Sequence, residues 1–302
     1  MVFVLVYKKS GLNRLNHFKI MALCPLFPMR ITSSIVTYKT DVAELQKCLA
    51  CLLGDSVGKV YVCDNSPDDS LKGVCESYPD VTYIHLPENP GYGTAHNVAM
   101  RKAMEEGSTY HLVINSDVWF DKGVIASIAA FMDANPDVGQ LAPKMLARDG
   151  SLQYSARKLP TPFEVFTKRF LPESFFRSSL NDYLLVDWNH NAAVDVPFHQ
   201  GSFMFFRVAA LHEVGLFDER FFMYTEDIDL SRRMHKKFRT LYWPEVSVTH
   251  LHRAESYTSF RMMMVHITSM IRYFNKWGWI IDRERKELNK RLKDELVRLK
   301  QR

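Results

Sequence analysis

ITSSIVTYKTDVAELQKCLACLLGDSVGKVYVCD, residues 31–64, decides the fold. Residues 31–38 are rich in β-branched side chains and predict a strand. Residues 41–53 then place Val42, Leu45, Leu49, Leu52 and Leu53 at helical spacing and stop at Gly54. Residues 59–63 predict a second strand, which runs into the turn Asp64-Asn65-Ser66-Pro67. A strand, a helix and a strand in this order form a βαβ unit with parallel strands. Ligands bind such sheets beyond the carboxyl ends of the strands, where this turn lies.

Downstream the alternation continues. Residues 71–77 predict a short helix and 81–86 a third strand. The loop Asn89-Pro-Gly-Tyr-Gly93 leads into a helix over 94–106, and 111–114 is a fourth strand that ends in Asn115-Ser116-Asp117. Residues 124–134 predict another helix. After Asp137 the pattern loosens, and the proline- and aromatic-rich stretch 159–191 is expected to pass over the site. Order returns at 194–207, followed by helices at 208–214 and 226–237 and short strands at 240–243 and 246–250. Residues 257–281 and 282–302 predict two final helices.

The chain has 302 residues, 47% of them hydrophobic and 24% charged, which is enough for one large α/β domain with appendages. Its net charge of +5 is uneven. Residues 1–30 carry five basic side chains and no acid, and residues 281–302 carry nine basic and five acidic, which leaves −4 on the body between. A mildly acidic body does not fit nucleic-acid binding. Basic ends fit contact with an anionic surface, or equally two solvated termini. Cys48 and Cys51 form a CxxC with no second pair or nearby His to complete a zinc site, so the cysteines read as reduced core residues of a cytosolic protein. No segment reads as a signal peptide or a bilayer span; the best candidate, 262–281, is interrupted by His266, Arg272, Asn275 and Lys276.

Several residues can carry chemistry. Asp64 at a strand end can accept the imide N–H of a pyrimidine base, or serve as an ordinary Asx-turn residue. Asp117, also at a strand end, can coordinate a divalent cation, Mg²⁺ or Mn²⁺, that neutralises a departing diphosphate. The loop Gly91-Tyr92-Gly93 lets a ligand approach the backbone of a helix that contains Asn97, but His96 breaks the dinucleotide-binding GxGxxG spacing. In Phe221-Phe-Met-Tyr-Thr-Glu-Asp-Ile-Asp-Leu230, Thr225 can cap a helix whose first turn is acidic. Aromatic residues before that cluster suggest a partly dry pocket in which Asp227 or Glu226 acts as a general base. His250 ends the last strand, with His252 two residues on; either can be a ligand or a structural residue.

Taken together, IVTYKTD, VCDNSPDD, ENPGYGTAHNVAM, LVINSDVWF and QGSFMFFRVAALHEVGLFDERFFMYTEDIDLSRRM, with the late VTH, resemble glycosyltransferase family 2 over about residues 31–255. These are inverting enzymes of the GT-A fold, and within them the chain looks most like the rhamnosyltransferase branch. The resemblance implies a GT-A domain at 31–255, an N-terminal extension at 1–30 and an amphipathic helical extension at 256–302. It implies a hexosyltransferase that moves a sugar, L-rhamnose from dTDP-L-rhamnose in the first instance, with UDP-hexoses and UDP-galactofuranose left open. The implied acceptor is a cell-envelope polysaccharide or a lipid-linked glycan at the inner face of the cytoplasmic membrane. By position, Thr37, Tyr38, Asp64, Gly93, Asn97, Asn115 and Ser116 belong to the donor side, and Gly201 and Ser202 to the acceptor side. Asp117 matches the last Asp of the family's DxD metal motif, with Asn115 in the first place instead of Asp; His250 matches a late metal contact, and Asp227 the acidic base. A sugar nucleotidyltransferase would show a glycine-rich loop after the first strand, where this chain has Val36-Thr37-Tyr38-Lys39-Thr40. A non-catalytic nucleotide-sugar-binding protein would be expected to lack Asp117 or Asp227, and both are present.

Overall fold

The computed structural model describes residues 30–165, 177–251 and 260–301. The expected N-terminal extension, apart from Arg30, lies outside the described residues, as do Cys24 and His252.

The opening βαβ unit forms as the sequence predicts. β1 (Ile31–Thr37) pairs in parallel with β2 (Lys59–Asp64), and α1 (Val42–Leu53) connects them. Asp41 caps α1 by accepting from the Ala43 and Glu44 amides. The helix buries Leu45, Cys48, Leu49 and Leu52 against Ile31, Ile35, Val60 and Val62 of the sheet. α2 (Lys72–Glu76), β3 (Val81–His85), α3 (Tyr92–Glu105) and β4 (Tyr110–Ile114) complete four parallel strands in the order β3-β2-β1-β4. α3 begins two residues before the expected Thr94, with Gly91 as its N-cap. Its small residues Ala95, Ala99 and Ala103 pack on Tyr61 and Cys63 of β2. Between α3 and the sheet, the Ser34 hydroxyl lies 2.7 Å from His96 Nδ1 and 2.9 Å from His111 Nε2. Burial pushes both imidazoles down, so they act as neutral polar links within the core.

The second half of the sheet departs from the sequence reading in two places. After β5 (Val118–Trp119) and α4 (Val124–Ala134), β6 (Val138–Leu146) is a nine-residue strand where the pattern looked loose. It is buried almost throughout and so shows no alternation. Its Pro143 is tolerated because the ladder with β10 (Phe203–Arg207) stops at Leu141. Likewise β11 (Arg239–His250) is one strand instead of two, with a register shift between Trp243 and Ser247 that absorbs Pro244. β10 lies antiparallel between β4 and β6, β11 runs parallel to β6, and β5 closes the edge antiparallel to β11. The expected mostly parallel sheet flanked by helices is therefore present. β7 (Ala156–Arg157) and β9 (Phe198–His199) form a separate ribbon, and β8 (Val194–Asp195) pairs with β11. α5 (Arg177–Leu184), α6 (Val208–Val214) and α7 (Glu226–His235) belong to this half.

α8 (Phe260–Trp277) and α9 (Arg283–Lys300) follow, and no described helix is long and apolar enough to cross a membrane. On the apolar stripe expected of the first, Met270, Phe274 and Trp277 pack with Leu159, Tyr183, Phe198, Phe221 and Ile228. Leu292 and Leu296 of α9 join Trp188, Val194 and Tyr242. These helices therefore dock on the protein's own core. The clamp is electrostatic as well: the buried Arg232 of α7 holds Asp282 through two 2.7 Å bonds and Glu284 at 2.8 Å, with its guanidinium 4.1 Å from the Trp277 ring. Arg232→Ala leaves Asp282 buried without its partner and is expected to destabilise the protein by about 3–5 kcal/mol. Denaturant titration measures this, and a loss under about 1 kcal/mol would show that the pair does not hold the C-terminal helices.

Candidate active site

A cleft of about 490 Å³ opens at the carboxyl ends of β1 and β4. Its lining includes Tyr38, Asn115, Ser116, Asp117 and His250 together with Gly201, Ser202, Glu226 and Asp227. Nine of the thirteen residues singled out from sequence thus meet in one space. Pro160, Glu164, Val165 and Tyr183, from the stretch expected to pass over the site, also line it.

The pairing of β5 with β11 sets His250 opposite Val118, next to Asp117. His250 Nε2 lies 3.3 Å from Asp117 Oδ1, and the Leu251 amide donates to the Asp117 carbonyl. Gln153 fixes the imidazole. Its Nε2 donates to the His250 carbonyl at 2.7 Å, so its Oε1, 3.0 Å from His250 Nδ1, is the acceptor. That arrangement puts a ring proton on Nδ1 and turns Nε2 toward Asp117. A carboxylate oxygen and an imidazole nitrogen at this separation suit neighbouring positions on Mg²⁺ or Mn²⁺, which lie about 3 Å apart when each bond is about 2.1 Å. Among the described residues no group of three or more His, Cys, Asp and Glu could hold a metal, so a ligand would supply the remaining oxygens.

Asn115 is held by Tyr92, whose hydroxyl lies 2.8 Å from Asn115 Oδ1 and 2.9 Å from the Gly201 carbonyl. Ser116 donates to Glu44 at 2.7 Å. The remaining predicted residues sit behind the cleft. Asp64 is fully buried and accepts from the Thr37 hydroxyl, the Ser66 amide and the Tyr83 hydroxyl. Asn97 exchanges hydrogen bonds with the backbone of Phe217 and so fastens the loop before α7 to α3. Gly93 backs Glu226: a Cβ there would stand 3.2 Å from its Cγ.

Glu226 and Asp227 open α7. Thr225 does not cap the helix with its side chain; its hydroxyl donates instead to the Ser269 carbonyl of α8, and its amide donates to Glu226 Oε2. Tyr224 takes φ +90°, a strained turn for a non-glycine residue that brings the chain into the helix. Asp227 Oδ2 accepts from the Gly201 amide at 2.9 Å and Oδ1 from the Ile228 amide at 2.8 Å. Gly201 permits this approach, since a Cβ would lie 3.2 Å from that of Asp227. Asp229 faces away, bonded to Arg233, Trp277 and Lys276. Burial raises the pKa of both cleft carboxyls. The Gly201 and Ile228 amides and the charge of Arg157 draw Asp227 back, whereas the charge of Asp227 drives Glu226 further up. Of the two, Glu226 is therefore the harder to ionise and Asp227 the better placed to carry the charge.

Three residues that shape the site were not singled out from sequence for it: Tyr92 and Arg157, which line the cleft, and Gln153, which holds His250. Tyr92 sat in a loop read for its glycines. Gln153 and Arg157 fall in the stretch without periodicity, and their roles depend on partners 97 and 43 residues away.

Residues 30–267 match the family model described as glycosyltransferase like family 2. The chain is 31% identical over 210 residues to the N-acetylglucosaminyl-diphospho-decaprenol L-rhamnosyltransferase of Mycobacterium tuberculosis, covering 65% of this chain and 67% of that protein. It is 26% identical over 227 residues to the rhamnosyltransferase WbbL of Escherichia coli K12, covering 71% and 81%. Among solved structures, the mannosyltransferase PcManGT of Pyrobaculum calidifontis, in complex with GDP-Man and Mn²⁺, is similar with a TM-score of 0.52 at 18% identity, covering 82% of this chain and 66% of that one.

The buried acid pair makes stability depend on pH. A carboxyl whose folded pKa is raised destabilises the fold when ionised; the cost is full above the folded pKa and vanishes below the unfolded one. Glu226→Gln is therefore expected to raise the denaturation midpoint relative to wild type more at pH 9 than at pH 5. An equal shift at both would show that Glu226 is not held protonated in the fold.

Proposed function

The chain belongs to glycosyltransferase-like family 2, and on that basis we propose that it transfers a hexose, L-rhamnose from dTDP-L-rhamnose in the first instance, to a hydroxyl of a lipid-linked glycan or cell-envelope polysaccharide. The observation that carries this reading is that a carboxylate, Asp227, lines the same cleft as the Asp117–His250 pair. The sugar is supported by two relatives whose names include rhamnosyl transfer, and the lipid-linked acceptor by the name of the first. The inner face of the cytoplasmic membrane is the site proposed for the reaction, where such acceptors present their sugars.

In this mechanism Asp227 accepts the proton of the acceptor hydroxyl as that oxygen attacks the anomeric carbon. Attack opposite the leaving diphosphate breaks the sugar–phosphate bond in the same step, inverts the anomeric centre and leaves no covalent sugar on the enzyme. The Gly201 amide keeps Asp227 aimed and ionised before the reaction. Glu226, protonated, keeps a second negative charge away from a substrate that already carries two phosphates. Asp117 and His250 would hold Mg²⁺ or Mn²⁺, which when bound neutralises the charge growing on the departing nucleoside diphosphate. Tyr92 ties Asn115 to the backbone of Gly201 at the ends of the neighbouring strands.

A screen of dTDP-L-rhamnose, UDP-hexoses and UDP-galactofuranose, read by release of nucleoside diphosphate, tests the reaction and the donor together. Asp227→Asn is expected to lower kcat by about 10²-fold or more while donor binding stays near wild type. Asp117→Ala, or EDTA, is expected to abolish turnover, with Mg²⁺ or Mn²⁺ restoring the chelated wild type. Near-normal turnover in Asp227→Asn, or a product that keeps the donor's anomeric configuration, would overturn the assignment of the base. Full activity in EDTA would overturn that of the metal.

A further inference from the structure

The turn between α8 and α9 presents a row of apolar side chains to solvent. Ile280 is 84% exposed, Ile281 81%, and Trp279 43%, and beside them Phe163 is 63% exposed. Phe163, Trp279 and Ile280 line one shallow groove together with Thr161, Pro162 and Lys286. On α8 itself, Met270, Phe274 and Trp277 pack on the core instead.

This exposure is built rigidly from beneath. Gly278 adopts φ +103°, and a Cβ there would stand 2.9 Å from the Ile281 carbonyl, so the turn requires glycine. The Gly278 amide closes α8 on the Phe274 carbonyl at 2.8 Å. The buried Arg285 donates to the carbonyls of Gly278 and Trp279, and also to that of Pro160 at the start of the segment that carries Phe163. Asp282, gripped by Arg232, caps α9 through the Arg285 amide. The Trp279 ring lies tilted against Phe274, centroids 5.2 Å apart, and its Nε1 donates to Asn275. Every polar tie points inward and the apolar tips point outward, an arrangement that aqueous stability alone does not favour.

The charge beside the tips identifies what they meet. Lys286, Lys290 and Lys293 recur at steps of four and three along the exposed side of α9, and Arg283 stands at its start. A contact between proteins would have few lysines near its apolar centre. A bilayer bearing anionic headgroups takes both features: isoleucine and phenylalanine enter the acyl boundary, tryptophan sits at headgroup level, and the ammonium groups face the phosphates. We infer that the turn 278–282, together with Phe163, is an interfacial anchor that docks on an anionic lipid surface. Residues 160–165 join this anchor to the cleft: Pro160, Glu164 and Val165 line the cleft, while Thr161, Pro162 and Phe163 line the groove. A docked chain therefore holds its cleft next to the membrane surface.

The test uses the full chain and needs no substrate. Cosedimentation is measured with vesicles of phosphatidylglycerol in phosphatidylcholine, and with phosphatidylcholine alone. The chain is expected to bind the first and not the second. Ile280→Asp with Ile281→Asp should lower the partition coefficient at least about tenfold, and Lys286→Gln and Lys290→Gln roughly fivefold each. All four positions are exposed, so the thermal midpoint should stay at the wild-type value. The inference is overturned if the wild type ignores the anionic vesicles, binds neutral ones as well, or loses nothing in the double aspartate variant. It is also overturned if the wild type is a dimer that the aspartates dissolve, which would make the patch a contact between two copies.

Discussion

Removing two neighbouring carboxyls from water is the constraint around which the site is arranged. Glu226 and Asp227 are both buried, and a carboxylate stripped of water must be protonated or receive hydrogen bonds. Both receive backbone amides: Thr225 donates to Glu226, and Gly201 and Ile228 donate to Asp227. The bond from Gly201 fixes much else. The amide of Gly201 must reach Asp227 from the approach to β10, and β10 must therefore lie beside β4, where the Asn115 amide in turn bonds the Ser202 carbonyl. The antiparallel strand inside an otherwise largely parallel sheet is thus also what places a donor over the acid.

Support for this acid pair comes from behind. α7 presents acids to the cleft from its first turn and, one turn on, offers Asp229 and Arg232 to the C-terminal helices. Lys276 and Trp277 bind the first, Asp282 and Glu284 the second. The helix that opens with Glu226 and Asp227 is thereby pinned along its length. α8 and α9 thus act as a brace, with Met270, Phe274, Trp277, Leu292 and Leu296 committed to the core.

The sequence made the first half of the sheet legible because each element there agrees with its local pattern. Residues 31–64 alternate strand, helix and strand with caps and turns where propensity puts them. Legibility fails at β6 and β11, where Gly139, Pro143 and Pro244 read as breakers. In the fold those residues fall where a ladder stops or a register shifts, a consequence of distant partners that local pattern cannot carry. The site divides in the same way. Asp117, Asp227 and His250 stood out by residue type and motif order, and they do share the cleft. Gln153 and Tyr92 matter through whom they bond, across 97 and 109 residues respectively, and nothing in their own neighbourhood announces it. Thr37, Asp64 and Asn97 stood out as polar residues near turns; the fold engages their polar groups with internal partners behind the cleft.

The order of strands in the sheet carries a consequence for biosynthesis. β1 to β4 pair with near neighbours in sequence, so this half can form while the chain is still short. The other half depends on long loop closures: Phe203 pairs with Ile114, and Arg239 with Val138. Asp117 therefore emerges from the ribosome more than a hundred residues before Asp227 and His250. A nascent chain that has completed only its first four strands carries the turns that face the future cleft but not yet Asp227 or His250. The cleft is therefore complete only once β11, the last strand in the chain, lies beside β6.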